Sequence, residues 1–324
     1  MSVNLRRQLE HAIAECFTPR HSKYADKRNT EIDTSWKIYS LSSRRDLIAT
    51  SRDFANFIKA EFSDVKKAYQ ITPEMAQEFI DSKALTCGRK TMMKIISHVK
   101  KLDIVCQHTY ARSRIDWDTN SLKMPDVVKA DGFKKDKPLS IDKACEIIET
   151  MKAKTNSESV NAVVLSTYLG LRVRETTHAK VENLHFSGGE FGFGFIEIPK
   201  GPDGGAKGGR ARITPIISLE GQTALKQLVK DKNPSDYIVS KADGKPMTET
   251  NVETRLRECM DELYGKEFIG NRIHALRKCY AQSYFDVTRT GCSRKEAVSK
   301  TNVVLGHGAD RGEHMVRMYV ASIY

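Results

Sequence analysis

Apolar residues recur at helical spacing over several stretches of this chain of 324 residues. Leu47, Phe54, Phe57, Ile58 and Phe62 follow Ser42 and Ser43, which offer an N-cap. Thr72-Pro73-Glu74 marks a second helix start, with a cap, a proline at the first helical position and an acid in the first turn, ahead of Met75, Phe79 and Ile80. Thr86 precedes Met92, Met93, Ile96, Val99 and Leu102, with lysines distributed around them. These patterns predict a basic helical domain over residues 42–117. Upstream, a short helix within Leu5 to Phe17 gives way to HSKYADKRNTEIDTS, polar and without period, so residues 1–41 read as an N-terminal arm or loosely packed extension.

Residues 118–138 are rich in Pro, Gly, Asp and Lys and carry no sustained apolar period, which predicts an exposed linker. A larger domain, 139–324, follows. Leu139-Ser140 reads as a staple residue and cap ahead of Ile147, Ile148 and Met151, and Ser157 to Thr167 supplies a second apolar helix. Between Val181 and Ile217 the pattern changes to short apolar runs broken by glycine, VENLHF, FGFGFIEI and RITPII, which predicts a small antiparallel sheet. Helical spacing returns over Leu219 to Val229, Val252 to Leu263, Ile273 to Phe285 and the last dozen residues. The fold class expected is mainly α with a small antiparallel β-sheet.

Charge narrows the partner. Lys+Arg 53 against Asp+Glu 41 gives a net charge of +12, which favours a polyanion. No apolar run approaches the ~18 to 20 residues of a membrane span, and MSVNLRRQLEHAIAECF lacks a signal-peptide core, so a soluble cytoplasmic protein working on nucleic acid rather than a membrane is expected. The seven cysteines are scattered and never in CxxC spacing, which suggests neither a disulfide framework nor a zinc site.

Five segments carry residues suited to a phosphodiester. Gly170-Leu171-Arg172-Val173-Arg174-Glu175 places a guanidinium, able to hold two phosphate oxygens, beside a carboxylate. Ala206 to Arg212 forms a glycine-rich hairpin with Lys207 at its tip, able to protonate a leaving oxygen. His274-Ala275-Leu276-Arg277 sets an imidazole and a guanidinium on one helix face. Leu305-Gly306-His307 adds a second imidazole, and Tyr319 follows in what the spacing predicts to be a terminal helix. A phenol, with a free pKa of about 10, needs cations or a base beside it to attack phosphorus.

GLRVRE, the lysine hairpin, HALR, LGH and a late tyrosine, in this order, resemble the tyrosine recombinase (phage integrase) family, over about Leu139 to Tyr324. The pattern of 42–117 looks like that family's core-binding domain. The resemblance implies that Arg172 and Arg277 hold the non-bridging oxygens of the scissile phosphate and that Lys207 protonates the departing 5′ oxygen. It further implies that His274 assists proton removal or positions the phosphate, that His307 donates a hydrogen bond, that Glu175 orients the first arginine, and that Tyr319 forms a 3′-phosphotyrosyl bond. Arginines and a lysine then fill the role a metal has in nucleases, so no cofactor is expected.

Double-stranded DNA, a homotetramer on two DNA sites and DNA-bending accessory proteins are the partners the family implies. The interval from His307 to Tyr319 is a few residues longer than the family's usual one, and five residues follow Tyr319, so the tail that neighbouring protomers exchange is expected to be short or missing. Arg44, Arg45, Arg89, Lys90, Lys94, Arg210 and Arg212 are the candidate DNA-binding residues. Arg174 competes with Arg172, Lys200, Arg210 and Arg212 compete with Lys207, and Tyr324 competes with Tyr319 as nucleophile. The function expected is site-specific strand exchange; alternatives are type IB topoisomerase-like relaxation and a DNA-binding regulator without catalysis.

Overall fold

The structure, a computed structural model, describes residues 4–19, 21, 23–130, 139–154, 157–201, 205, 211–265, 272–309 and 312–321. The chain divides into two compact units, Met1–Lys134 and Lys135–Tyr324.

The first unit contains α1 (Leu5–Glu15), α2 (Lys23–Arg28), α3 (Leu41–Glu61), α4 (Pro73–Lys83) and α5 (Arg89–Thr109). Thr72 caps α4 through the Met75 amide, with Pro73 at the first helical position. Helix α3 starts slightly before the serines that suggested its cap: Ser40 accepts from the Ser43 amide. Phe54, Phe79 and Trp117 meet in the core, with Phe54 5.0 Å from Phe79 and 5.6 Å from Trp117 between ring centroids. The indole Nε1 of Trp117 donates to the Ala68 carbonyl at 2.9 Å, so the buried ring leaves no orphan donor.

Two segments are packed more closely than their sequence suggested. Residues 1–41, read as an arm, contribute α1 to the core: Leu5, Leu9, Ala12 and Ile13 are buried against α3 and α5. Ile38 donates to the Cys16 carbonyl and accepts from the Thr18 amide, which closes the polar stretch between them into a loop. Likewise, the expected linker begins inside the first unit, because Thr119 and Leu122 are buried and the Lys129 amide donates to the Ala84 carbonyl at 2.7 Å. Residues 131–138 lie outside the described residues.

The second unit contains α6 (Ile141–Lys154), α7 (Ser159–Leu169), α8 (Val173–His178), β1 (Leu184–His185), β2 (Phe195–Ile198), β3 (Arg212–Pro215), α9 (Leu219–Val229), α10 (Glu249–Tyr264), α11 (Arg272–Arg289), α12 (Arg294–Val304) and α13 (Gly312–Val316). Helix α7 is apolar on every side because it is the hub: α6, α8, α9, α10 and α11 all pack on it. The strands form an antiparallel sheet in the order β1-β2-β3, with Ile196 opposite Thr214 and Ile198 opposite Arg212. The mainly helical fold with one small antiparallel sheet is the class the sequence predicted. No described helix is long and apolar enough to cross a membrane.

Candidate active site

The site is assembled where α7 ends, β3 begins and α12 stops. Gly170 terminates α7 in the left-handed conformation (φ 60°), and a Cβ there would stand 2.4 Å from the ring of Tyr280, so only glycine lets the chain turn this close to α11. Arg172 then caps α8, its amide donating to Glu175 Oε2 at 2.8 Å while its Nη1 donates to Glu175 Oε1 at 2.9 Å. Glu175 is fully buried at its side chain, and β3 delivers Arg212 to both its oxygens, at 2.7 and 2.6 Å. Arg277, on α11 and also fully buried, lies 3.8 Å from the same carboxylate.

Burial by itself raises the Glu175 pKa, but hydrogen bonds from Arg212 and the charges of Arg212, Arg277 and Arg172 outweigh it, and the carboxyl is held at about 2. Burial, with the like charges of Arg172 and Arg212, lowers the pKa of Arg277, while Glu175 opposes that shift.

The end of α12 supplies the remaining acceptors. Arg212 Nε donates to the Val304 carbonyl at 3.0 Å, Arg172 Nη2 donates to the Leu305 carbonyl at 3.0 Å, and Arg277 Nη2 donates to that same Leu305 oxygen. Carbonyls at a helix C-terminus carry partial negative charge and favour cations. Three guanidinium groups against one carboxylate still leave two net positive charges, a setting that suits an anion. Arg277 Nε, buried, has no hydrogen-bond partner among the described residues.

Gly306 turns the chain immediately afterwards (φ 70°), and a Cβ there would stand 3.2 Å from Arg212 Nη1, so that the guanidinium would have to give by a few tenths of an ångström. His307 follows, its amide donating to the Asn302 carbonyl at 2.8 Å and its Nε2 lying 3.4 Å from the Tyr319 hydroxyl. The His274 ring centroid is 5.1 Å from that of Tyr319, and the Arg277 guanidinium stands 5.6 Å from the tyrosine ring. Tyr319 is otherwise seated among Phe285, Val298, Leu305 and Val316. It was expected inside a terminal helix; instead α13 stops at Val316 and Tyr319 occupies the following turn, its amide donating to the Val316 carbonyl.

The sequence-predicted residues therefore divide. Arg172, Glu175, His274, Arg277, His307 and Tyr319 come together. Lys207, Arg210 and Tyr324 lie outside the described residues, although Gly205, two positions before the lysine, packs so tightly that a Cβ would stand 2.5 Å from the Arg174 carbonyl. Arg212, expected to bind DNA, does not present a free guanidinium: its side chain is 6% exposed and each of its nitrogens is engaged inside the protein.

On the first unit, Arg44 stacks over the Phe17 ring at 4.9 Å rather than facing outward, and Lys94 is paired with Asp46 at 2.7 Å. Arg45, Arg89 and Lys90 are exposed. The role of Arg212 at Glu175 was missed, though its place two residues before the buried Thr214 put it on the inner face of β3.

No protein-family model and no curated sequence matches this chain. Solved structures do. The Tn1549 transposon integrase in complex with a circular intermediate DNA aligns over 97% of this chain and 95% of its own, at 13% identity and a TM-score of 0.58. The XerH site-specific recombinase bound to palindromic difH in a post-cleavage complex covers 98% of this chain and 90% of its own, at 14% identity and a TM-score of 0.60. A lambda integrase tetramer bound to a Holliday junction covers 96% of this chain and 79% of its own, at 15% identity and a TM-score of 0.59.

The chain has the tyrosine recombinase fold. In that fold the five motif segments lie in the second unit, and those within the described residues converge on Glu175 and Tyr319.

Proposed function

We propose that this chain is a site-specific DNA recombinase that cuts and rejoins double-stranded DNA through a 3′-phosphotyrosyl intermediate on Tyr319. The observation that carries the reading is the Leu305-Gly306-His307 segment. Its Leu305 carbonyl binds both Arg172 and Arg277, and two residues on its His307 Nε2 reaches the Tyr319 hydroxyl at 3.4 Å. One short segment thus ties a pair of phosphate-clamping groups to a hydroxyl nucleophile.

In this reading, Arg172 and Arg277 neutralise the non-bridging oxygens as charge develops on them, a stabilisation that is largest where water is excluded. The Tyr319 oxygen attacks phosphorus, forming the Oη–P bond and breaking the bond to the 5′ oxygen. The phenolic proton leaves by way of His274 or His307, and Lys207 gives a proton to the departing 5′ oxygen. The phosphodiester energy is retained in the phosphotyrosine, so a 5′-hydroxyl of another strand can reverse the step and complete the exchange. No metal is assigned a part in these steps, and the chain's own cations balance the charge.

Double-stranded DNA is the partner, met by a chain of net charge +12. Since lambda integrase is found as a tetramer on a Holliday junction, we assign this chain a homotetramer on two DNA sites, with DNA-bending accessory proteins as further partners. Among the described candidate DNA-binding residues, the exposed Arg45, Arg89 and Lys90 are the ones we assign to backbone phosphates.

The test is incubation of nicked suicide duplexes, carrying DNA from the flanks of the native gene, with wild type and with Tyr319→Phe in EDTA. Wild type is expected to yield a covalent protein–DNA species on a denaturing gel and Tyr319→Phe none. Site-selective binding without an adduct from wild type would instead favour a DNA-binding regulator.

A further inference from the structure

Arg212 takes no part in the chemistry just described, yet of the site's three arginine side chains it makes the most hydrogen bonds. Its two terminal nitrogens occupy both oxygens of Glu175 and its Nε holds the Val304 carbonyl. It stands at the first residue of β3, directly after the segment that carries Lys207, while Gly205, before that segment, rests against the Arg174 carbonyl. Arg212 is thus bonded to α8, the helix that Arg172 caps, and Gly205 packs against the same helix.

We propose that Arg212 is a positioning residue that sets the charge available to the substrate phosphate: by neutralising Glu175, it leaves the charge of Arg172 and Arg277 for the bound anion, while fixing β3 to α8 and to the end of α12. This rests on the reading of the site as a phosphodiester centre. With Arg212 present, three guanidinium groups face one carboxylate. Replacing Arg212 by methionine halves the surplus of positive charge and turns the full carboxylate toward Arg172, 2.9 Å away, and Arg277, 3.8 Å away. Replacing Glu175 by glutamine as well restores the original surplus. A residue that served only to fill space could not be rescued in this way, since the second substitution removes a further set of buried hydrogen bonds.

The experiment compares wild type, Arg212→Met, Arg212→Lys and the double variant Arg212→Met/Glu175→Gln. Two readouts are used: the single-turnover rate of adduct formation at saturating suicide duplex, and the rise in unfolding temperature with orthovanadate, a phosphate-like oxyanion that needs no DNA. Arg212→Met is expected to slow adduct formation by about tenfold or more with DNA affinity nearly unchanged, the pattern of an interaction used in the transition state, and to lose the vanadate response. Arg212→Lys is expected to fall between, keeping the charge but not the two-pronged contact.

The double variant is expected to regain part of both signals. A double variant worse than Arg212→Met in both readouts, or an Arg212→Met protein with wild-type rate and wild-type vanadate response, overturns the proposal. Absence of any adduct from wild type, with the vanadate pattern intact, removes the recombinase reading and leaves the role of Arg212 standing. A wild-type adduct with no effect of Arg212→Met does the reverse.

Discussion

Replacing Glu175 by glutamine removes one negative charge from among three arginines and is expected to destabilise the second unit in a manner that depends on pH. The carboxyl is fully buried, accepts from Arg172 and Arg212, and is held at about 2 against an ordinary value of 4.5. That difference corresponds to about 3 kcal/mol of stability at neutral pH, within the ~3–5 kcal/mol typical of breaking a buried ion pair by removing one partner. Because the folded value lies below the unfolded one, this contribution is present above the unfolded value and is lost as the pH falls from about 5 to about 2. The gap between wild type and Glu175→Gln should therefore close across that window.

Trp36 and Trp117 both lie in the first unit, so tryptophan fluorescence does not follow the unit in question. Hydrogen exchange of α7 and α11 at a series of pH values does, since it reads opening free energies locally. A gap under about 1 kcal/mol at neutral pH, or one that stays constant down to pH 2, would refute the assignment of Glu175 as the charged hub of the site.

Three further outcomes follow from the packing and the chemistry. Leu9→Ala is expected to cost the first unit roughly 2–5 kcal/mol in urea unfolding followed by tryptophan fluorescence, because Leu9 is fully buried; a change near zero would return residues 1–41 to the status of an arm. Gly306→Ala, which combines a positive φ with a Cβ 3.2 Å from Arg212 Nη1, is expected to cost about 1–2 kcal/mol by hydrogen exchange of α12 and to slow adduct formation; an unchanged rate would show that this turn does not set the site. Lys207→Ala is expected to slow cleavage of ordinary DNA by about 10²–10⁴ and to be rescued by a 5′-bridging sulfur, whose departure needs no proton; an equal loss on both substrates would take the acid role away from Lys207.

The parts of the fold legible in the sequence are those in which a local rule and the packing agree. Thr72-Pro73 supplies a helix start from local signals alone, the glycine-broken runs after Val181 pair as the antiparallel sheet, and α7 reads as apolar on every side because it is covered on every side. Helix α1 was undervalued because its partners, α3 and α5, are distant in sequence and the polar loop after it hid the pairing of Cys16 with Ile38. Arg212 is hard to place from sequence for a related reason. A basic residue beside a glycine-rich hairpin looks like a surface charge until β3 turns it inward onto Glu175, and a strand of four residues alternates too briefly for that face to stand out from the sequence. Tyr319 illustrates the converse, since its place in the motif order makes it the candidate and it does lie beside His307 and His274, although the helix expected around it ends at Val316.

The central claim is that Tyr319 carries the covalent bond, and the direct measurement is mass spectrometry of the adduct after nuclease and trypsin digestion. Cleavage after Arg317 leaves a peptide that begins MYVASIY and contains both Tyr319 and Tyr324, so fragment ions separate the two candidates within one peptide. A nucleotide remnant on Tyr319 is predicted. A remnant on Tyr324, or on a peptide elsewhere in the chain, would contradict the assignment of the His307-linked tyrosine as the nucleophile.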